Sequence, residues 1–167
     1  FFFFFFCIFN TANIGLEHTD IATNERGAIV VNDTCESSVP GVYAVGDVNG
    51  GPQFTYISLD DFRIVFGALT GNSQYTLKDR KNIPYTTFLT PPLSRVGLTE
   101  EDAINQGYTV KTKEMLVATM PRAHVNDYLK GAFKIVVDAD NDLILGATLY
   151  SQGAEELINL IKMAMDN

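Results

Sequence analysis

The run of residues 39–55, Val-Pro-Gly-Val-Tyr-Ala-Val-Gly-Asp-Val-Asn-Gly-Gly-Pro-Gln-Phe-Thr, constrains the fold of this chain more than any other stretch. Residues 42–45 form an apolar block that is too short for a helix, and they predict a buried strand. Gly46 permits a turn and a close approach by a ligand, because it has no Cβ. Asp47 then places a carboxylate at the C-terminal end of the strand, where open α/β sheets bind their ligands. This order of strand, glycine and carboxylate predicts an α/β protein with a ligand site beside Asp47.

A helix is predicted over residues 55–69, with its N-terminus directed back toward the turn at residues 49–52. A helix N-terminus carries roughly half a positive charge and favours an adjacent anion by about 0.3–1 kcal/mol. Strand, turn and helix end together suit a ligand that carries hydroxyl groups and a developing negative charge. The amphipathic face predicted for this helix consists of Ser58, Phe62, Val65, Phe66 and Leu69. Its charged residues Asp60, Asp61 and Arg63 are interpreted as surface charges rather than as acid–base groups.

Residues 40–47, Pro-Gly-Val-Tyr-Ala-Val-Gly-Asp, resemble the second flavin-binding motif of the FAD-dependent pyridine nucleotide–disulfide oxidoreductases. This family includes glutathione reductase, dihydrolipoamide dehydrogenase and mercuric reductase. The resemblance implies that Asp47 accepts a hydrogen bond from a ribityl hydroxyl of FAD and that Thr55 lies beside the pyrimidine edge of the flavin. The predicted cofactor-binding residues are Gly46, Asp47, Phe54 and Thr55. A strand that merely ends in Gly-Asp is the structural alternative.

The resemblance also implies the domain organisation. Residues 1–35 are expected to be the end of a nicotinamide-binding domain, and residues 36–80 the returning segment of an FAD-binding domain. Residues 81–167 are expected to form a C-terminal α+β interface domain of antiparallel strands and helices, incomplete at its C-terminus, through which the protein forms a homodimer. Within it, residues 91–100 match the family closely, with the sequence Pro-Pro-Leu-Ser-Arg-Val-Gly-Leu-Thr-Glu.

Secondary structure follows the same division. After a turn at residues 24–27, the sequence predicts a strand over 28–31, and residues 11–20 are predicted to be a loop with one helical turn. Further strands are predicted over residues 85–90, 108–119, 131–138 and 143–150, the last two forming a hairpin around a polar turn at 138–142. A short helix is predicted between the N-cap Thr99 and Gly107. The final helix is predicted from the spacing of Ala154, Leu157, Ile158, Ile161 and Met165.

Several parts of the family's chemistry are absent from this sequence. It contains no G-x-G-x-x-G loop for the FAD pyrophosphate, no CxxxxC redox pair and no His-Pro-x-x-x-Glu stretch. We therefore expect a C-terminal fragment that has no catalytic residue of its own, is inactive alone and does not retain FAD. The whole protein would pass a hydride from NAD(P)H to FAD, and then electrons to a disulfide and an acceptor. The alternative is a non-catalytic module that dimerises.

Charge and composition exclude other classes of function. The net charge of −8 argues against nucleic-acid binding, which needs a basic face. No segment approaches the ~20 apolar residues of a membrane span. Two cysteines and two histidines provide no zinc pattern, so no metal is expected. Cys7 and Cys35 are predicted to be free, structural thiols in a reducing cytoplasm.

The remaining titratable residues are assigned structural positions. His18 is predicted to lie on a surface loop, and His124 to serve structure or a subunit contact rather than chemistry. The basic residues between Lys78 and Lys81 are interpreted as a solvated loop. At the N-terminus, the apolar residues 1–9 could form one buried strand, and they lack the positive region of a signal peptide. Only Asn10 is present of the family's Gly-Arg-x-Pro-Asn motif, so no function is assigned to this segment.

Overall fold

The computed structural model describes residues 9–167, and the chain divides between Arg80 and Lys81 into two compact units. We call them the N-terminal unit and the C-terminal unit. The strand expected within residues 1–9 lies, apart from Phe9, outside the described residues.

The described part of the N-terminal unit consists of loops, one long helix and three single-turn 3-10 helices. The long helix, α1, spans Thr55–Leu69, and the 3-10 helices span Leu16–His18, Gly46–Asn49 and Leu77–Asp79. The bounds predicted for α1 are confirmed, as are the helical turn within residues 11–20 and the turn at residues 24–27, which Gly27 closes by donating to the carbonyl of Asn24 at 2.9 Å.

The strands predicted at residues 28–31 and 42–45 are wrong for this chain. The backbone there pairs only through isolated bridges, Thr23 with Ile29, Val31 with Ser37 and Glu36 with Tyr43. A ladder needs several consecutive paired residues, and each segment finds single partners among the described residues. Burial is correspondingly partial, since Ala44 is buried whereas Val42 and Val45 are 39% and 42% exposed.

The buried face of α1 also differs from the prediction. Its buried residues are Ile57, Asp61 and Ile64, at positions i, i+4 and i+7, whereas Phe62 and Phe66 are more than half exposed. Of the predicted face, Ser58 does lie against the Gly46–Asn49 turn, whereas the bulky side chains Phe62, Phe66 and Leu69 are exposed. The N-terminal unit instead packs against the side of α1 that carries small and branched residues, because the Gly46–Asn49 turn approaches the helix closely there.

The C-terminal unit contains one antiparallel sheet of five strands. The strands are β1 (Tyr85–Thr87), β2 (Leu93–Gly97), β3 (Val110–Leu116), β4 (Ala132–Asp138) and β5 (Ile144–Tyr150), in the spatial order β1-β2-β5-β4-β3. The predicted hairpin is confirmed as β4 and β5, which pair from Ala132–Tyr150 to Val137–Ile144. Asp142 closes the turn between them by donating its N–H to the carbonyl of Asp138 at 2.9 Å.

Three α-helices accompany the sheet, α2 (Glu100–Asn105), α3 (Pro121–Val125) and α4 (Ala154–Met165), together with a 3-10 helix at Val117–Thr119. Thr99 caps α2 as predicted, because its hydroxyl accepts from the N–H of Asp102 while the Asp102 carboxylate accepts from Thr99. Helix α4 packs on β2 and β5, and the buried residues of that core are Val96, Ala147, Leu149, Ala154 and Ile158. The α+β architecture predicted for this region is thereby confirmed.

Candidate functional site

The Gly46–Asn49 turn lies directly against α1. Gly46 is buried and has φ +71°, a backbone conformation that only glycine adopts freely. A Cβ at position 46 would stand 2.6 Å from Ser58 Oγ and 3.2 Å from Ser58 Cβ. Glycine is therefore required at this position both by its backbone conformation and by its contact with the helix.

Asp47 follows on the exposed side of the turn. Its backbone carbonyl accepts from the N–H of Gly50 at 3.1 Å, which closes the turn. Its carboxylate forms no hydrogen bond or ion pair with any other residue among 9–167. The side chain is thus an exposed acceptor on a backbone that is itself fixed.

The N-terminus of α1 completes this region. Thr55 is the exposed first residue of the helix, and Phe54 occupies the N-cap position with extended backbone. Among residues 9–167, no side chain caps the helix and no acidic residue lies in its first turn, so no carboxylate of the described chain stands at its partial positive charge. The Phe54 ring stacks on Tyr56 with 5.4 Å between ring centroids.

Asp61 lies beneath the turn and is fully buried. One carboxylate oxygen, Oδ2, accepts from the backbone N–H of Gly46 at 2.7 Å and from Asn49 Nδ2 at 2.9 Å. The other, Oδ1, accepts from an Arg80 guanidinium nitrogen at 2.5 Å. Asp61 was predicted to be a surface charge, and that prediction is wrong because it shares the buried face of α1 with two isoleucines.

Arg80 binds two adjacent carboxylates of α1. Besides Asp61, its Nε donates to Asp60 at 2.8 Å, and its side chain is only 9% exposed. Burial works to lower the pKa of Arg80, but the hydrogen bonds and charges of Asp61 and Asp60 outweigh burial and raise it above its ordinary value. The prediction of a solvated basic loop is therefore wrong at Arg80, although Lys78 is exposed and pairs with Asp33.

Cys35 belongs to the same buried region. It is a free thiol with no exposed surface. Burial, followed by the negative charge of Asp61, raises its pKa to about 11. The thiol is therefore protonated and inaccessible in the folded chain, as predicted for a structural cysteine, and it is unsuited to nucleophilic chemistry.

The two histidines lie in different units. His18 is exposed, with Nε2 3.7 Å from a carboxylate oxygen of Glu17. His124 lies in α3, where Nε2 is 2.8 Å from the carbonyl oxygen of Ala118. Both positions agree with a structural role. Within residues 9–167 there is no cluster of three or more His, Cys, Asp or Glu side chains arranged to hold a metal ion.

The donor and acceptor groups of this region fit the cofactor that the sequence implies. The ribityl chain of FAD presents hydroxyl donors, which suit the unpartnered carboxylate of Asp47. The pyrimidine edge of a reduced flavin carries negative charge, which suits the uncapped N-terminus of α1. The residues that sequence reasoning missed are Asn49, Asp61 and Arg80. The signal for Asp61 was its spacing of four residues from Ile57 and three from Ile64.

Comparison with known protein families agrees with this fold. Residues 83–167 match the dimerisation domain of the pyridine nucleotide-disulphide oxidoreductases, and residues 3–61 match the pyridine nucleotide-disulphide oxidoreductase family itself. The chain belongs to the pyridine nucleotide-disulphide oxidoreductase family. No helix among the described residues is long and apolar enough to span a membrane.

Individual relatives give the same result. The chain is 47% identical over 156 residues to the probable pyridine nucleotide-disulfide oxidoreductase RclA of Escherichia coli, covering 93% of this chain and 35% of the relative. It is 34% identical to a mercuric reductase of Staphylococcus aureus, covering 93% of this chain and 28% of that enzyme. The solved Cu(II) complex of Escherichia coli RclA, described as a HOCl-induced flavoprotein disulfide reductase, superposes with a TM-score of 0.88 at 46% identity over 94% of this chain and 36% of that one. The chain thus spans about a third of the length of its relatives.

Proposed function

We propose that this chain supplies part of the FAD site and the dimer contact of an NAD(P)H-dependent flavoprotein disulfide reductase. The observation that carries the proposal is the Asp47 carboxylate, which has no partner among the described residues and lies within the Gly46–Asn49 turn that packs against α1. Residues 1–35 would belong to the nicotinamide-binding domain, 36–80 to the FAD-binding domain and 81–167 to the interface domain. A cytoplasmic location accords with the free Cys35.

FAD, when bound, supplies the hydride acceptor and passes electrons onward. In the proposed site the Asp47 carboxylate would accept a hydrogen bond from a ribityl hydroxyl, and the turn, packed against α1 at Gly46, fixes the backbone that carries this carboxylate. The backbone N–H groups at the N-terminus of α1, beginning at Thr55, would stabilise negative charge on the pyrimidine edge of the flavin. Phe54, at the N-cap position of α1, would lie beside the same part of the cofactor. The redox thiols would come from outside this sequence, because Cys35 is buried and its pKa is raised.

The experiment uses the full-length flavoprotein that carries this sequence. A charge-assisted hydrogen bond contributes on the order of 1.5–3 kcal/mol, so Asp47→Ala should weaken FAD binding roughly 10- to 150-fold. Thr55→Val should leave FAD bound and shift its reduction potential modestly, because the backbone N–H groups remain. Asp20→Ala, at another exposed acid of the N-terminal unit, is the control. Retention of FAD by Asp47→Ala at the parent's affinity would contradict the site.

The isolated 167-residue chain is expected to be inactive. Neither a G-x-G-x-x-G loop nor a redox cysteine pair occurs in it. Purified chain incubated with FAD, NADPH and a dye acceptor should therefore consume no NADPH above the rate of free FAD. Turnover above that rate would contradict the proposal that the redox thiols lie outside these 167 residues.

A second candidate function, dimerisation without catalysis, is favoured by the outer face of α4. Leu157, Leu160 and Met163 on that helix are 39%, 57% and 60% exposed, and large exposed apolar patches mark interaction sites. A homodimer contact through the C-terminal unit would cover them. Sedimentation of the chain should show a dimer that Leu160→Lys weakens, whereas Leu143→Lys on the β4–β5 turn should not. A CxxxxC pair in the sequence upstream of Phe1 would favour the reductase over the module.

A further inference from the structure

We propose that Asp61, held in place by Arg80, is a positioning residue for FAD binding. It fixes the backbone of the Gly46–Asn49 turn and thereby directs Asp47 at the cofactor. This inference rests on the proposed function, because it takes Asp47 as the residue that contacts FAD.

The first argument is the geometry of the turn. A single oxygen of Asp61 accepts from Gly46 N at 2.7 Å and from Asn49 Nδ2 at 2.9 Å. These donors belong to the first and last residues of the 3-10 turn, and Asp47 lies between them. One buried carboxylate therefore holds both ends of the segment that carries Asp47, the residue proposed to bind FAD.

The second argument is that Asp61 is itself rigidly held. Its other oxygen accepts from Arg80 at 2.5 Å, and Arg80 also donates to Asp60 at 2.8 Å. The planar guanidinium can serve two carboxylates at once, which a lysine ammonium cannot do in the same fixed geometry. Because Asp61 is fully buried, removing Arg80 would leave the Asp61 carboxylate without a charge partner among the described residues. The position of Asp61 Oδ2 is thus fixed from the opposite side.

The third argument is that the turn does not depend on Asp61 for its existence. Gly50 N donates to the Asp47 carbonyl at 3.1 Å, and Ile29 N donates to the Val48 carbonyl at 2.9 Å. These backbone bonds remain when the carboxylate is changed. Loss of Asp61's charge should therefore leave the turn in place but change the direction and mobility of Asp47. That change can be measured as a change in the affinity for FAD.

The test is a double-mutant cycle on the full-length flavoprotein, with the dissociation constant of FAD as the readout. The variants are Asp61→Asn, Asp47→Ala and the double variant. Asp61→Asn should raise the Kd by about tenfold, which corresponds to about 1.4 kcal/mol. In the Asp47→Ala background the same change should raise it by less than about twofold, because residues that act through one another are not additive.

Asp60→Asn is the matched control. It removes the same charge from the neighbouring residue and weakens the hydrogen bond from Arg80, because a neutral acceptor replaces a charged one, but Asp60 does not bind Gly46. Its effect on the Kd should stay below about twofold. Thermal unfolding of the apo forms of both variants measures the loss of stability separately from the loss of affinity.

The outcomes separate the two proposals. If Asp47→Ala leaves the Kd unchanged, the proposed FAD site fails, and this inference with it. Suppose that Asp47→Ala weakens FAD binding. If Asp61→Asn then raises the Kd by the same factor with and without Asp47→Ala, or raises it no more than Asp60→Asn does, only the positioning role is overturned. If Asp61→Asn does not fold, the cycle is run with Arg80→Lys. That variant keeps the positive charge at position 80. If its effect on the Kd persists in the Asp47→Ala background, the positioning role is overturned.

Discussion

Gly46 and Ser58 are packed so closely that a methyl group at position 46 would stand 2.6 Å from Ser58 Oγ. This contact joins the turn that carries Asp47 to the first turn of α1. Since Thr55 lies three residues before Ser58 on the same helix, the contact also sets the height of the helix N-terminus relative to Asp47. The two parts of the proposed flavin site, Asp47 and the N-terminus of α1, are thereby held in a fixed position relative to each other.

Substituting Gly46 tests this contact. Gly46→Ala should destabilise the N-terminal unit by about 1–3 kcal/mol, through the cost of positive φ and the displacement of Ser58. Gly41→Ala is the matched control, because Gly41 has φ +79° but a Cβ there meets nothing within 4 Å. Chemical denaturation should show the larger loss for Gly46→Ala. Equal losses would mean that only the backbone conformation matters.

The second prediction concerns the reactivity of Cys35. With a pKa of about 11, roughly 0.1% of the thiol is ionised at pH 8, compared with about a tenth of a thiol at its ordinary pKa. The reaction of Cys35 with a disulfide reagent should therefore be at least about 100-fold slower in the folded chain than in denaturant. A Cys7→Ser background makes the measurement specific. Labelling of native Cys35 at the unfolded rate would contradict its burial.

The same thiol gives a pH dependence of stability. Its pKa rises from an ordinary value of 9.0 to about 11 on folding, so the folded state holds the proton more tightly. The contribution of Cys35 to stability is thus complete below pH 9 and is lost as the pH rises from 9 to 11. The loss should be about 2–3 kcal/mol. Cys35→Ala should lose less stability over this range in pH-dependent denaturation, and identical curves would contradict the shift.

A core residue of the C-terminal unit gives the fourth prediction. Ile158 is 1% exposed and packs in the core between α4 and the sheet. Ile158→Ala should lower the free energy of unfolding of this unit by about 2–5 kcal/mol. The comparison is Leu143→Ala, because Leu143 is 61% exposed on the β4–β5 turn and its loss should cost less than about 0.5 kcal/mol. Similar losses for the two variants would contradict the assignment of the core.

Local signals predicted most of the C-terminal unit from the sequence. The helix after Thr99, the hairpin of β4 and β5 and the spacing of α4 each depend on neighbouring residues, and each is present. The N-terminal unit was predicted less well because its strands depend on distant partners. Residues 42–45 have the composition of a strand, but they pair with the described chain at Tyr43 alone.

The residues of the candidate site likewise divide into those that the sequence predicted and those that it did not. The resemblance to a family motif led to the prediction of Asp47 and Thr55, because their positions match that motif. Asp61 and Arg80 were misassigned because charged residues are usually exposed, and their burial depends on each other across 19 residues of sequence. No local pattern reveals that an arginine following a polar loop returns to a helix formed earlier. Only the position of Asp61 between Ile57 and Ile64 carried a hint of its burial.

The last prediction is that residues 81–167 fold independently. The division of the chain falls between Arg80 and Lys81, and the five-stranded sheet with α4 has a continuous core of its own. Limited proteolysis of the whole chain should therefore cut before residue 83 first, and a purified 81–167 polypeptide should unfold cooperatively. Its unfolding should respond to Ile158→Ala by the same amount as in the whole chain, because distant sites contribute independently. Early cleavage within residues 131–161, which include β4, β5 and most of α4, would contradict the boundary.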